Sequence, residues 1–159
     1  MDNILMIEGC DAGSIIHYIE DHHVMKKLVH DESAVIMEKL LHAFYHTFES
    51  NQYLVYRQHG YYQKVPLLID FNKYLFFPTH GRKEKLCCWI NYYCIEKIKK
   101  TADGTQIQFT NHYLMNNGKM SEMILDVDIR VLRKQMQRCK MIHESYAKCH
   151  KDLRIYSKM

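Results

Sequence analysis

The sequence predicts an α+β domain in which an antiparallel β-sheet core is packed by a helix in the N-terminal half and by a long basic helix near the C-terminus. Three observations predict this class. Short runs of β-branched and aromatic residues alternate with turn residues as far as residue 110, while apolar residues spaced three and four apart indicate helices over 33–48 and about 122–150. With 159 residues, 47% of them hydrophobic, the chain can build one core, so we expect a single domain over 1–159.

A β-hairpin is predicted at the N-terminus. Residues 4–7 and 13–20 are rich in side chains that suit a pleated surface, and Gly13 gives the intervening turn its backbone freedom. The polar stretch over 22–27, with paired histidines and paired lysines, is predicted to be a solvated loop.

The next predicted elements are one helix and two strands. The helix over 33–48 begins at residues with capping chemistry, the Asp, Glu and Ser at 31–33. Strands at 67–69 and 74–77 are predicted from their apolar and aromatic content. A loop over 79–85 follows, and its charged residues indicate an exposed backbone.

A second hairpin is predicted around Asp103-Gly104. An Asp-Gly pair tolerates positive φ at both positions, and it lies between an aromatic-rich strand over 86–98 and a return strand over 105–110. Alternation of Gln and Ile or Phe in the return strand predicts one polar and one apolar face. Trp89 is expected in the core, and Tyr92-Tyr93 are either core residues or stacking platforms for bases.

The last helix, over about 122–150, has the clearest pattern. An apolar stripe follows one face, and cationic side chains follow the opposite face. The stripe consists of Leu125, Ile129, Leu132, Met136, Cys139, Ile142, Tyr146 and Cys149, and the cationic face consists of Arg130, Arg133, Lys134, Arg138 and Lys148. Because Cys139 and Cys149 lie on the stripe, we expect both to be buried thiols.

Charge divides the chain into two halves. Residues 1–80 contain 6 Lys and Arg against 10 Asp and Glu, and residues 81–159 contain 16 against 8. Three basic clusters lie in the second half: the loop residues Arg82, Lys83 and Lys85, the lysines at 97, 99 and 100, and the helix face. This distribution is typical of a surface that contacts a polyanion, because phosphate neutralisation sums over many cations.

Several classes of protein are disfavoured. The chain has no apolar run long enough to span a membrane, and its start is acidic where a secretory signal needs Lys or Arg. Cys87 and Cys88 are adjacent and no Cys-x-x-Cys occurs, which favours reduced thiols in a cytoplasmic compartment.

An enzymatic role is also disfavoured, since the common nucleophile-elbow, P-loop and dinucleotide-binding signatures are absent. We expect no catalytic residue and no cofactor. His42 and His46, spaced to share a helix face, have no third ligand nearby, so no metal site is expected and a polar helix edge is favoured.

Four segments carry a resemblance to a known family. They are Pro-Leu-Leu-Ile at 66–69, Leu-Phe-Phe-Pro-Thr at 75–79, then after seven residues Cys-Cys-Trp-Ile at 87–90, and Phe-Thr-Asn at 109–111. This pattern resembles the competence transcription factor (ComK) family over about a third of the chain. The matching positions are Phe77, Pro78, Thr79, Cys87, Trp89 and Ile90.

The resemblance implies a bacterial cytoplasmic activator of DNA-uptake genes, which binds AT-rich boxes in double-stranded DNA largely through the minor groove as a dimer or pair of dimers. DNA contact is expected from Arg82, Lys83, Lys85, Arg130, Arg133, Lys134 and Arg138. The tail at 153–158 weakly resembles a family segment recognised by an adaptor of the Clp protease.

An alternative remains open. At 47–52 the chain reads Thr-Phe-Glu-Ser-Asn-Gln where the family has a segment with two basic residues, and His112 stands where Gly usually follows Asn. A regulatory interaction protein on the same fold, which pairs with a related regulator through the final helix and binds DNA poorly, would also have these features.

Overall fold

The fold consists of two antiparallel sheets and three helices in the ranges that the structure describes. The computed structural model describes residue 1, residues 3–110 and residues 122–157, with side chains as far as 154. The strands are β1 (Asn3–Cys10), β2 (Gly13–Glu20), β3 (His23–Val29), β4 (Leu67–Asp70), β5 (Tyr74–Pro78), β6 (Trp89–Asn91), β7 (Ile95–Thr101), β8 (Gly104–Phe109) and β9 (Glu122–Leu125). The helices are α1 (Ser33–Ala43), α2 (Phe48–His59) and α3 (Ile129–Ser157). The predicted α+β class, with a long basic C-terminal helix, is confirmed.

The larger sheet has six strands in the order β3-β2-β1-β6-β5-β4, and the smaller has the order β7-β8-β9. Both faces of the larger sheet are covered. Period-two alternation sends Tyr74 and Phe76 of β5 toward α1, and sends Leu75 and Phe77 toward the smaller sheet and α3. Two clusters of buried side chains therefore sandwich the larger sheet.

The predicted N-terminal hairpin is confirmed, since β1 pairs with β2 from Asn3 opposite Ile19 to Cys10 opposite Gly13. The prediction of a solvated loop over 22–27 is wrong. Asp21 and His22 form a tight turn with φ of 48° and 65°, and β3 then pairs with β2 along its whole length. Because β3 is an exposed edge strand, neither of its faces is buried. Its sequence therefore lacks the alternation of apolar and polar residues that identifies a strand.

The predicted helix over 33–48 ends early. Regular helix stops at Ala43, Tyr45 adopts φ of 61°, and Thr47 starts a new helix by a capping box with Ser50. Thr47 Oγ1 accepts from the Ser50 amide at 3.0 Å, and Ser50 Oγ accepts from the Thr47 amide at 3.1 Å. His42 lies in α1 and His46 lies beyond its end, so the two histidines do not share a helix face.

The segment predicted as one strand over 86–98 is divided between the two sheets. It forms β6, then a 3₁₀ turn at Tyr92–Cys94, then β7 of the smaller sheet. Buried Asn91 holds this junction. Its Nδ2 donates to the carbonyls of Ile4 and Lys73 at 3.0 and 2.8 Å, and its Oδ1 accepts from the amides of Leu75 and Tyr93, each at 3.3 Å.

The second hairpin is confirmed as β7 and β8 around Asp103-Gly104. Gly104 is required there, because its φ is +141° and a Cβ would lie 2.0 Å from the Leu125 carbonyl oxygen of β9. Ile107 and Phe109 are buried while the intervening glutamines face outward, as the alternation predicts.

The final helix begins at Ile129, not near 122, because Glu122–Leu125 pairs with β8 as a strand. The apolar stripe is buried through Leu132, Cys139 and Ile142, but Cys149 is exposed, so the prediction of a buried thiol there is wrong. The stripe reaches past the edge of the core by that point.

Candidate nucleic-acid interface

The first of the predicted cations on α3 is held by a neighbouring acid. Asp128 immediately precedes the helix, and its Oδ1 accepts from the Arg130 backbone amide at 2.8 Å. The Arg130 guanidinium also donates to both carboxylate oxygens, at 2.8 Å from Nη2 and 3.1 Å from Nε at the closest. These bonds to Arg130 lower the pKa of the Asp128 carboxyl to about 2, so it is ionised under all ordinary conditions.

The next turn of α3 presents exposed cations. Arg133 and Lys134 are exposed, and Arg133 lines an open cleft of about 970 Å³ together with Lys100 and Arg130. A shallower cleft on its other side is lined by Arg133, Tyr92 and Lys140. One lysine at the end of β7, Lys100, therefore shares the larger cleft with two cations of the helix face. Three acids, Asp103, Asp126 and Asp128, line the same cleft.

Arg138 has a packing role. Its guanidinium lies over the Tyr61 ring, 4.7 Å from the centroid, and its Nη1 donates to the Gln63 carbonyl at 2.8 Å. One turn earlier, buried Gln135 donates from Nε2 to the carbonyls of Lys64 and Pro78, both at 2.8 Å. These contacts fix the basic half of α3 against the segment before β4 and against the end of β5.

The loop after β5 is anchored at both ends. The Thr79 amide donates to the Cys88 carbonyl at 2.9 Å, and Thr79 Oγ1 accepts from the Cys88 amide at 3.0 Å. Ser33 at the start of α1 donates to the Cys87 carbonyl at 2.8 Å. Lys83 and Lys85 are exposed on the loop held between these anchors.

Arg82 differs from its two lysine neighbours. Its guanidinium lies over the Phe48 ring at the start of α2, 4.4 Å from the centroid, and the side chain is half-buried. Its Nη1 is buried and makes no hydrogen bond to the residues that the structure describes. Phe48 in turn contacts Trp89, so Arg82 covers the edge of the core.

The two cationic groups lie at one end of the larger sheet. Pro78 ends β5 and starts the loop, and its carbonyl accepts from Gln135 in the middle of the basic half of α3. The groups diverge from that point, since Arg82 lies over Phe48 of the buried cluster on one face of the sheet, whereas α3 packs into the cluster on the other face. Lys83, Lys85, Arg133 and Lys134 are exposed and unpaired within the described residues. Arg130 is exposed as well, but it is paired with Asp128.

Sequence reasoning missed two participants in this surface. Lys140 was not assigned to the cationic face, although it lines a cleft with Arg133, and Asp128 was not recognised as the partner of Arg130. The signal for the second was present, because an acid directly before a helix caps it and reaches residues two positions on.

Trp89 and Phe77 are core residues, as expected, with exposed fractions of 1% and 0%. Burial raises the pKa of the Cys87 and Cys88 thiols to about 11 each, so both are protonated at neutral pH. Tyr93 is half-buried, and its hydroxyl hydrogen-bonds His143 Nδ1 of α3 at 2.8 Å. The adjacent thiols and the tyrosine pair therefore belong to the packing of the fold.

The described ranges contain neither a membrane-spanning helix nor a cluster of metal-ligating side chains. None of the helices there is long and apolar enough to cross a membrane. Within the same ranges, no group of three or more His, Cys, Asp or Glu side chains is arranged to hold a metal ion.

Comparison with known proteins identifies the family. No curated protein and no solved structure matches the chain significantly. The family model described as ComK protein matches residues 5–151, which include both sheets, α1, α2 and most of α3. The chain therefore belongs to the ComK family of competence transcription factors.

Proposed function

We propose that this chain is a bacterial cytoplasmic activator of DNA-uptake genes that binds AT-rich boxes in double-stranded DNA, largely through the minor groove. The observation that supports the proposal is the placement of two exposed cationic groups at one end of the larger sheet, the loop after β5 and the basic half of α3. The proposed contacts are Arg82, Lys83, Lys85, Arg130, Arg133, Lys134 and Arg138.

The physical reason for the AT preference lies in the shape of the groove. A·T-rich segments have a narrow minor groove with enhanced negative potential, which attracts Arg and Lys side chains without base-specific hydrogen bonds. Exposed Lys83, Lys85, Arg133 and Lys134 can make such contacts without breaking an interaction within the protein. Arg82, Arg130 and Arg138 would exchange an internal contact for a phosphate, so we assign them secondary contributions.

Three further features belong to the proposal. The protein acts as a dimer, its compartment is the cytoplasm, and an adaptor of the Clp protease recognises its tail at 153–158. The exposure of Lys148–Arg154 on the last described turns of α3 supports recognition of the tail, because a partner reaches it without opening the core.

The test is fluorescence anisotropy on an AT-box duplex and a GC-rich duplex of equal length, across a salt series. The double variant Lys83→Gln/Lys85→Gln should weaken binding to the AT duplex and reduce the slope of log affinity against log salt by about two, one for each lost phosphate contact. The matched control is Lys26→Gln/Lys27→Gln, which removes two neighbouring exposed lysines from the edge strand β3, three strands away from β6 in the sheet.

If the two double variants lose equal affinity for the AT duplex, the loop is not part of the DNA interface. Weak binding by the unaltered protein, with no preference for the AT duplex, would instead favour the second candidate, a protein that pairs with a related regulator and binds DNA poorly. That candidate is supported by the internal contacts of three of the seven cations and by the absence of basic residues at 47–52.

A further inference from the structure

The helix α2 has an exposed face with an acidic residue toward one end and a basic residue toward the other. Only Phe48 and Val55 of its 12 residues are buried, and both lie on the side toward the sheet. On the outer side, Glu49, Tyr53, Tyr56 and Arg57 fall within an arc of about 100°, at 100° per residue. Tyr53 and Tyr56 are 61% and 55% exposed. Aromatic side chains this exposed on one helix face are typical of an interface.

The order of charges on this face complements itself. Glu49 lies four residues before Tyr53, and Arg57 lies four residues after it. Two copies of α2 packed antiparallel about Tyr53 would place each Glu49 opposite Arg57 of the other copy, with the Tyr53 rings at the centre. An isologous dimer requires this kind of self-complementary surface.

We propose that the outer face of α2, formed by Glu49, Tyr53, Tyr56 and Arg57, is the interface through which a second copy of this chain docks. The inference rests on the dimer in the proposed function and assigns its surface. It differs from a seam along the final helix, since Leu132, Cys139 and Ile142 of α3 are already buried in the protein's own core, with exposed fractions of 0%, 0% and 5%. Two further exposed tyrosines, Tyr45 and Tyr62, lie in the segments before and after α2.

Charge reversal tests the arrangement by sedimentation equilibrium across micromolar concentrations. Glu49→Arg and Arg57→Glu should each raise the dimer dissociation constant by about tenfold or more, because each places like charges opposite one another at both ends of the interface. An equimolar mixture of the two variants should form a heterodimer with the affinity of the unaltered protein, since both pairs are then attractive. The variants alter exposed side chains, so each should fold, and their unfolding temperatures are measured as the check.

The matched control is Glu144→Arg and Lys148→Glu, the same reversals four residues apart on the exposed side of α3. Dimers weakened by this control and not by the α2 variants would move the interface to α3 and overturn the proposal. A monomeric protein, or reversed variants that do not rescue each other, would overturn it also. The affinity of the unaltered protein for the AT duplex is measured separately. If that protein fails to bind the AT duplex but still forms dimers, and the reversed variants rescue each other, the DNA part of the proposed function fails while the α2 interface stands.

Discussion

Asn91 shows how one side chain can fix the junction at which the chain passes from one sheet to another. Its amide makes four hydrogen bonds at the point where the chain leaves β6 of the larger sheet and turns toward β7 of the smaller one. The bonds reach backbone groups of β1 and β5 as well as its own turn. A buried amide with every donor and acceptor matched specifies this junction more tightly than an apolar residue of the same size would.

Replacing Asn91 with Ala should lower the free energy of unfolding by about 3 kcal/mol, because it leaves buried carbonyl and amide groups without partners. Asn91→Asp keeps the shape and the acceptor but turns a charged oxygen toward the Ile4 and Lys73 carbonyls, so it should destabilise at least as much. Urea denaturation measures both. Gln137→Ala on the exposed side of α3 is the control, and an Asn91→Ala variant as stable as this control would contradict the role.

The cysteines are distinguished by burial. Burial raises the pKa of Cys87 and Cys88 to about 11 and that of Cys94 to about 12, and raises the pKa of fully buried Cys139 as well. The thiolate is the reactive form, so these four thiols should be unreactive both because they are protonated and because they are inaccessible.

Iodoacetamide at mildly alkaline pH should therefore modify exposed Cys149 first and half-buried Cys10 next. Mass spectrometry of peptides from a time course identifies the sites, and the same reaction in urea is the control in which all six thiols react. Early modification of Cys87 or Cys88 in the folded protein would indicate that the loop after β5 opens readily.

At the scale of the element, α3 combines a held cation with a free one. Asp128 fixes Arg130 at the start of the helix, whereas Arg133 in the next turn is open to solvent. The acid therefore reduces the positive potential at the end of α3 closest to the cleft with Lys100.

Asp128→Asn should tighten binding to the AT duplex and steepen its salt dependence by about one unit of slope, since Arg130 gains freedom to meet a phosphate. Asparagine keeps the hydrogen bond to the Arg130 amide, so helix capping is preserved. The control Asp126→Asn makes the same change in net charge on an exposed residue of the same cleft. Equal effects of the two variants would mean that net charge alone, and not release of Arg130, sets affinity.

Local pattern predicted the elements that have one buried face and one exposed face. The alternation ending in Ile107 and Phe109 predicted β8, and the Asp103-Gly104 pair predicted its turn. Elements defined by tertiary contact were missed. β3 is exposed on its outer edge and so has no alternating pattern, and the end of α1 depends on the positive φ of Tyr45, which its side chain does not favour.

For the candidate interface, the sequence predicted where the cations lie but not which of them have partners within the protein. Clustering of Lys and Arg identified the loop and the helix face, because solvated cations need no partner to be placed. Which cations stay free depends on residues far away in the sequence: Arg82 lies over Phe48, and Arg138 lies over Tyr61. A single sequence contains no local signal for such pairs.

At the scale of the whole molecule, one buried cluster joins the two sheets. Side chains of β1, β5 and β6 in the larger sheet share it with Ile107 and Phe109 of the smaller sheet and Leu132 of α3. Shared burial of this kind favours unfolding as one cooperative unit, which is what the prediction of a single domain over 1–159 requires.

The single tryptophan makes this testable. Trp89 reports on the larger sheet by fluorescence, while far-ultraviolet circular dichroism reports mainly on the helices. The two urea transitions should coincide, and Ile107→Ala in the smaller sheet should shift both together, with a loss of about 2–4 kcal/mol. A fluorescence midpoint unmoved by Ile107→Ala would show that the sheets unfold separately.

The length of α3 has a mechanical consequence. Its 29 residues extend about 44 Å, whereas the longest strands of the larger sheet, with 8 residues, extend about 26 Å. The end of the helix beyond His150 therefore forms an exposed handle, with residues 151–154 all exposed. A pull on this handle first meets resistance where His150 and Tyr146 stack on Phe71, with centroids 6.5 and 4.7 Å from that ring, and next at His143, 4.8 Å from it. From there the pull would separate α3 from the sheet toward the basic end.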